Sequence, residues 1–231
     1  QEDDVRTAEE EAAARQALLE QIDFQDNATV REAITRLQHE EHIQAATRLG
    51  IIDIAFVFSI EGTQTYSEEE QQQMDEFKTG KKSSPLPGRP HRYRLPESKI
   101  FIIPFGCHTG CTATAHDADC HRALSDQILE SCLLERQIGI ASEMSNSVRT
   151  VDLRAKPYIL DLDLDTFHTH HSLTPDDAGL FHELISGALA VTIAIESEWT
   201  GDLWLENSAA PIDDMLESLY SHIEGAAVRS V

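Results

Sequence analysis

The sequence predicts an α/β fold: a three-layer α/β/α arrangement whose sheet is mainly parallel, preceded by a helical arm at the N-terminus. Two observations lead to this prediction. Short apolar runs, each the length of one buried strand, alternate along the chain with stretches of helical periodicity. Strands that are joined through helices pair in parallel, and such sheets carry helices on both faces.

The N-terminal residues are predicted to form helices. Residues 4–22 consist mainly of Ala, Glu, Arg, Gln and Leu and contain neither Gly nor Pro, which favours a solvated helix. The next helix begins at Asn27 or Thr29, because Thr29 opens a capping-box spacing, and Gly50 marks the end of the helical stretch. Residues 1–26 are therefore the predicted arm.

Residues 27–231 are predicted to form one domain. Its strands are the apolar runs, at residues 51–58, 99–104, 158–164 and 188–195. Its further helices show helical periodicity or begin at a proline, and they lie at residues 67–79, 121–138, 175–185 and 211–223. Residues 80–98 are rich in proline and basic side chains, which is typical of an exposed loop.

The charge balance limits the classes of partner that the protein is expected to bind. Forty-one acidic residues against eighteen basic ones give a formal net charge of −23. A surface of this sign disfavours nucleic acid, whose binding depends on cations that neutralise phosphates, and it favours divalent metals and guanidinium groups. No apolar run approaches the roughly 18 residues of a membrane span. No secretory signal is visible either, so the cytoplasm is the default expectation.

One motif carries chemistry on a predicted strand: Asp161-Leu162-Asp163-Leu164-Asp165. Residues two apart in a strand point to the same side, so the three aspartates share one side and the leucines face the core. Carboxylates this close repel each other and resist desolvation, and a divalent cation relieves both costs. The motif therefore predicts a metal site at the carboxyl end of the strand. The alternative is a solvated edge strand with alternating acids.

The aspartate run resembles the second metal motif of the arginase-like ureohydrolases, and it is most similar to the peptide arginases and their uncharacterised relatives. Two further stretches are similar to this family. Residues 42–52 look like its step from a helix through glycine into a strand, and residues 191–196 look like a late strand that ends in a glutamate. The resemblance covers residues 30–60 and 155–225, and it implies an arginase/deacetylase-like fold.

The resemblance also implies a role for each matching residue. Asp163 and Asp165 match the pair of aspartates that bridges two Mn²⁺ ions, and Asp161 is implied as a further ligand or as a support for one. Glu196 matches the carboxylate that binds the substrate guanidinium; for this residue the alternative is an ordinary exposed acid. The implied reaction is the hydrolysis of peptidyl arginine, in a peptide or protein substrate, to ornithine and urea.

The same family needs an early Asp-x-His-x-Asp motif, which residues 1–41 do not contain. Two expectations stay open. Either the motif and its strand precede Gln1, and the enzyme has a binuclear Mn²⁺ site, or half of the site is lost. In the second case the domain is catalytically inactive and serves as a structural or scaffold subunit of a larger assembly. Its N-terminal helices and residues 80–98 are then expected to bind protein partners.

A second concentration of ligand residues follows the strand at 99–104. Eight residues of ligand type fall in it: Cys107, His108, Cys111, His116, Asp117, Asp119, Cys120 and His121. The three cysteines with His121 suit a structural Zn²⁺, but their spacing matches no standard closed site. His116 and the two aspartates are alternatively candidates for the hydrolase metals. The favoured interpretation is a polar loop in which these thiols and that of Cys132 are free.

Three histidines come soon after the aspartate run, at positions 168, 170 and 171. A loop at that strand end would overhang a bound metal, so one of the three is a candidate for contact with metal or substrate. The favoured interpretation is a solvated turn.

Overall fold

The structure is a computed structural model, and it describes residues 13–14, 17–23, 25–36, 41–59, 99–149, 157–195, 203–206 and 212–229. The chain forms two compact units, which are Gln1–Val57 with Leu95–Phe101 and Phe58–Arg94 with Ile102–Val231. Helices and short paired strands follow one another in the described residues. The α/β class is therefore confirmed, while the three-layer arrangement and the boundary after residue 26 stay predictions. The predictions for 67–79 and 80–98 lie outside the described residues.

The first unit contains α1 (Asn27–Arg36) and α2 (Glu41–Arg48). The start of α1 agrees with the prediction, and the Asp26 carboxylate accepts a hydrogen bond of 2.9 Å from the backbone N–H two residues later. The predicted end of α2 is confirmed by Gly50, whose φ of 73° is the left-handed conformation that closes a helix. Helical backbone also occurs in the predicted arm, at residues 13–14 and 17–20.

The first sheet consists of β1 (Ala55–Ser59) and β2 (Ile100–Pro104). The strands are parallel, because the residue numbers of their hydrogen-bonded partners rise together from one end to the other. β2 agrees with its predicted run. The predicted start of β1 at residue 51 is wrong, since residues 51–53 form bends after α2 and Ile51 is exposed.

The helices of the second unit, in its described residues, are α3 (Ala118–Ser125), α4 (Ser131–Arg149), the single turn α5 (His170–Leu173), α6 (Gly179–Gly187) and α7 (Ile212–Arg229). The prediction of one helix over 121–138 is wrong, because α3 and α4 replace it. The Glu130 carboxylate at the break accepts hydrogen bonds from the N–H groups of Asp176 and Asp177, at 2.6 and 3.1 Å. These long-range bonds hold residues 176–177 outside the helix, so α6 begins later than the predicted residue 175.

The second sheet pairs β3 (Ile159–Asp163) with β4 (Ala190–Ala194) in parallel, as predicted for these two runs. The register sets Asp161 opposite Thr192 and Asp163 opposite Ala194. One face of the sheet packs against the buried core of the unit, through Leu160, Leu162, Val191 and Ile193. The two aspartates of β3 are exposed on the other face. Aspartates and leucines therefore alternate across β3 as predicted.

The core of the second unit lies between this sheet face and helices α4, α6 and α7. Its fully buried side chains include Leu133, Leu164, Phe181, Met215 and Leu219. α7 begins directly after Pro211, as predicted, and continues beyond the predicted end to Arg229. Among the described residues, no helix combines the length and the apolar content that a membrane crossing requires.

Candidate metal sites

The aspartate run divides between a strand and a turn. Asp161 and Asp163 lie on the exposed face of β3, and the Thr192 hydroxyl of β4 donates a hydrogen bond to Asp161 Oδ1. The strand ends at Asp163, and residues 164–166 form a 3₁₀ turn that the buried Leu164 anchors in the core. Asp165 lies in this turn and is half-buried. Strand alternation therefore sets the direction of the first two carboxylates and not of the third.

In the part of the chain that the structure describes, the three aspartates do not join any group of three or more ligand atoms within 4.8 Å of one another. Their role as Mn²⁺ ligands stays a prediction. Glu196, the predicted guanidinium-binding residue, lies outside the described residues, which stop at Ile195 after β4.

The loop after the aspartate run is more buried than predicted. The His168 side chain is 5% exposed, and its Nε2 donates a hydrogen bond of 2.9 Å to the Asp165 carbonyl. The Thr169 hydroxyl is buried as well and donates to Asp126 Oδ1 at 2.7 Å. The prediction of a solvated turn is therefore wrong for His168. It holds for His170 and His171, which are exposed.

The second concentration of ligand residues closes into a compact group, which we call the Cys/His cluster: Cys107, Cys111, His116 and Cys120. All four ligand atoms lie within 4.8 Å of one another. Cys111 Sγ is 3.9 Å from Cys120 Sγ and 3.8 Å from His116 Nδ1. The three cysteines are half-buried and the histidine is exposed. The prediction of free thiols is confirmed, since none of the four cysteines of the chain forms a disulfide.

The backbone around the Cys/His cluster is shaped by glycines and by long-range hydrogen bonds. Gly106 and Gly110 have φ angles of 74° and 82°, a conformation that suits glycine and lets the chain turn back on itself. The Arg136 guanidinium of α4 donates to the Phe105 and Cys107 carbonyls, at 2.6 and 2.7 Å. These hydrogen bonds therefore hold the backbone on both sides of Gly106 against α4.

The start of α3 fixes the position of Cys120, the last ligand of the cluster. The Asp117 carboxylate accepts a hydrogen bond of 3.1 Å from the Cys120 N–H and so caps the helix. This hydrogen bond keeps the pKa of Asp117 below its ordinary value. Cys120 thus lies in the first turn of α3 with its sulfur toward Cys111. Asp117 acts as a helix cap here, and the predicted alternative that it serves hydrolase metals stays untested.

Burial and hydrogen bonding shift the pKa values of two thiols of the cluster in opposite directions. Partial burial, followed by its hydrogen bond to Cys111, raises the pKa of Cys107 to about 11. The Ala113 N–H and the Cys107 thiol donate to Cys111 Sγ and lower the pKa of Cys111. The arrangement therefore stabilises a thiolate at Cys111. Such negatively charged sulfur is the form that binds metal ions.

His121, the histidine that the sequence grouped with the cysteines, has a different neighbour. Its ring lies 5.6 Å from the ring of His168, centroid to centroid. His116, which precedes α3, takes its place in the cluster. Sequence reasoning did not select this set. The available signal was the short spacing between the ligands, Cys-x3-Cys-x4-His-x3-Cys.

A further group of ligand atoms joins Glu130, His171 and Asp176. Its central carboxylate already accepts two backbone hydrogen bonds, from Asp176 and Asp177. The closeness of these ligand atoms therefore follows from the hydrogen bonds that connect the start of α4 to the residues before α6.

The comparisons with known proteins give no relative: no protein family model, no curated protein and no solved structure matches the chain.

Proposed function

We propose that the chain is a metal-dependent, arginase-like hydrolase, with a three-layer α/β/α fold, that acts on the guanidinium group of peptidyl arginine. The parallel, in-register pairing of β3 with β4 carries this proposal. The carboxyl ends of neighbouring parallel strands lie at one edge of a sheet, where α/β proteins bind their ligands. The aspartate run ends at this edge. β4 runs toward the same edge and ends at Ala194, two positions before Glu196 in the sequence.

The donor chemistry of β3 fits a hard divalent cation. Carboxylate oxygens suit Mn²⁺, and the side chains of Asp161 and Asp163 are exposed on one sheet face. The hydrogen bond from Thr192 orients the Asp161 carboxylate. When bound, Mn²⁺ would lower the pKa of the water that attacks the guanidinium carbon. Asp163 and Asp165 are the proposed ligands, and Asp161 is proposed as a further ligand or as a support for one.

The role proposed for Glu196 is to hold the substrate. A carboxylate pairs with a planar guanidinium through two charge-assisted hydrogen bonds, and the net charge of −23 favours a cationic substrate. Water adds to the guanidinium carbon, and the bond from that carbon to the side-chain nitrogen breaks. That nitrogen takes a proton to become the ornithine amine, and urea leaves.

The test compares two substitutions on protein that has been loaded with Mn²⁺. Asp163→Ala should lower the Mn²⁺ content, whereas Glu196→Gln should leave it unchanged and lower urea release from arginine peptides. Loss of a buried charged contact is worth about 2–5 kcal/mol, which is roughly thirty- to several-thousand-fold in kcat/KM. Glu183→Gln removes the same charge at an exposed position of α6 and is the control. Urea release by the Glu196 variant at the wild-type rate would exclude Glu196 as the substrate-binding residue.

The second candidate is an arginase-like domain that is catalytically inactive and serves as a scaffold. The separation of the aspartates from any group of three ligand atoms, among the described residues, favours it. Wild-type protein that binds no Mn²⁺ and releases no urea would support this candidate against the hydrolase. Urea release that depends on Asp163 would exclude it.

A further inference from the structure

We infer that the Cys/His cluster is a structural Zn²⁺ site, closed by Cys107, Cys111, His116 and Cys120 and independent of the hydrolase proposed above. Three thiolates and one imidazole form one of the ligand sets that hold structural Zn²⁺ in proteins. Soft sulfur donors in a tetrahedral arrangement select this ion over Mn²⁺ or Mg²⁺. All four ligands come from the chain itself, so no coordination position is left for a substrate.

The distances fit a tetrahedral ion. With Zn–S bonds of about 2.3 Å and Zn–N bonds of about 2.1 Å, a regular tetrahedron has sulfur–sulfur edges of about 3.8 Å and sulfur–nitrogen edges of about 3.6 Å. The corresponding separations are 3.9 Å for Cys111 to Cys120 and 3.8 Å for Cys111 to His116. These two separations are therefore close to the lengths that an ion requires, and the other four lie within 4.8 Å. Binding would cost little rearrangement of the chain.

Few other interactions stabilise the segment that carries the ligands, residues 106–123. Between Phe105 and Leu124, which are buried, no residue from 106 to 123 is buried. A stretch of this length without a fully buried apolar anchor gains little from the hydrophobic effect. Its described cross-links are polar, such as the 2.8 Å hydrogen bond from the Thr109 N–H to Gln127 Oε1. A Zn²⁺ ion supplies the missing cross-link, as it does in small zinc-stabilised domains.

The site would fix the position of α3. Cys120 lies in the first turn of that helix, and the next residue, His121, contacts His168 in the loop after β3. At the other end of α3, the Asp126 carboxylate accepts the hydrogen bond from Thr169. Zn²⁺ would therefore hold the helix that packs on the loop following the aspartate run. This role needs no catalytic activity.

The first experiment measures metal in the purified full chain by mass spectrometry and by Co²⁺ spectroscopy. Wild type should carry about one Zn²⁺ per chain, and Co²⁺ in its place should show the absorption of a tetrahedral thiolate site. Cys111→Ser and Cys120→Ser should bind Zn²⁺ at least about a hundredfold more weakly, since even residues that only support metal ligands cost 10–100-fold. Cys132→Ser is the matched control, because Cys132 lies outside the cluster and contacts Thr109.

A second pair of variants decides the outcome if the serine variants do not fold. His116→Cys should keep Zn²⁺ bound as a four-cysteine site, whereas His116→Ala should weaken binding at least about tenfold. Equal binding by these two variants would overturn the assignment of His116. Wild type that takes up neither Zn²⁺ nor Co²⁺ would overturn the site altogether. Asp163→Ala should keep its Zn²⁺, which separates this site from the proposed Mn²⁺ site on β3.

Discussion

The aspartate strand and the segment from 106 to 123 both carry metal-ligand side chains, but they are held in place by different forces. β3 presents Asp161 and Asp163 on one face, and its other face is packed into the core through Leu160 and Leu162. The segment from 106 to 123 contains no buried residue, and its ligands approach one another closely. The strand would therefore keep its shape without a metal, whereas the proposed Zn²⁺ would supply part of the stability of the segment.

The difference shows that a conspicuous motif and a formed site need not coincide. Consecutive carboxylates of one strand are spaced by the strand itself, about 6–7 Å apart for residues i and i+2. A loop that turns back on itself carries no such restriction, so four ligands of irregular spacing can meet. Each of the following predictions tests whether metal or apolar packing holds the region concerned.

The largest expected effect is that of zinc on the Cys/His cluster. A ligand that binds only the folded state at about a thousandfold excess over its Kd stabilises by about 4 kcal/mol. Removing Zn²⁺ with a chelator should lower the free energy of unfolding by that order in wild type, and by much less in Cys120→Ser. Denaturant unfolding with and without chelator measures both. An equal loss in the two proteins would mean that the chelator acts elsewhere.

The next effect concerns the packing that anchors the aspartate run. Leu164 is 0% exposed in the turn after β3, so Leu164→Ala should cost about 3 kcal/mol through lost burial and the cavity that remains. The loss should be the same with or without added Mn²⁺. Leu189→Ala removes the same atoms from a side chain that is 75% exposed and should change stability by less than about 0.5 kcal/mol. Equal effects of the two substitutions would contradict the burial argument.

A smaller effect is expected where β3 begins beside the end of α6. The Tyr158 hydroxyl donates a hydrogen bond of 2.7 Å to the Leu184 carbonyl, and a Cβ on Gly187 would come within 2.7 Å of that hydroxyl. Gly187→Ala should therefore destabilise by about 1–3 kcal/mol, because the ring has to move.

The control for this steric effect is Gly225→Ala in α7, where a Cβ meets no atom within 4 Å. It should be neutral or stabilising by up to about 1 kcal/mol, since alanine favours helix over glycine. A second check is Tyr158→Phe in the Gly187→Ala background, which removes the clashing hydroxyl and should recover part of the loss. Thermal unfolding that ranks both glycine variants alike would show that the close approach does not matter.

The smallest effect is chemical and leaves the fold intact. In metal-free protein, Cys111 should be alkylated faster than Cys107, because hydrogen bonds lower the pKa of Cys111, whereas the pKa of Cys107 is raised to about 11. Lowering the pH protonates both thiols, and Cys107 loses its reactivity first, at the higher pH. At pH 9, two units below its pKa, only about one Cys107 side chain in a hundred is thiolate.

Peptide mass spectrometry after timed alkylation measures each site separately. Added Zn²⁺ should protect Cys107, Cys111 and Cys120 and leave the exposed Cys132 reactive. Faster reaction at Cys107 than at Cys111 would contradict the direction of the two pKa shifts. Protection of all four cysteines alike would point to a change in overall accessibility.

Local patterns determined much of the described fold. The alternation of leucine and aspartate decided which face of β3 is buried, since successive strand residues point to opposite sides. The glycine at position 50 and the proline at position 211 marked where helices end and begin, because each acts on its own backbone. The parallel partner of β3 also followed from the alternation of apolar runs with helices. The strand face and the helix ends depend on residues that are near one another in the chain, and the strand pairing depends on the order of the elements.

Tertiary contacts alone decided the start of α6 and the membership of the Cys/His cluster. The late start of α6 goes with hydrogen bonds that the backbone N–H groups of residues 176 and 177 donate to the Glu130 carboxylate, which no local pattern contains. His116 joins Cys120 in the cluster and His121 does not, because adjacent helix residues point about 100° apart. With Cys120 directed at Cys111, His121 is directed at His168 instead. The sequence determined which residues can bind a metal, and the path of the chain through space decided which of them meet.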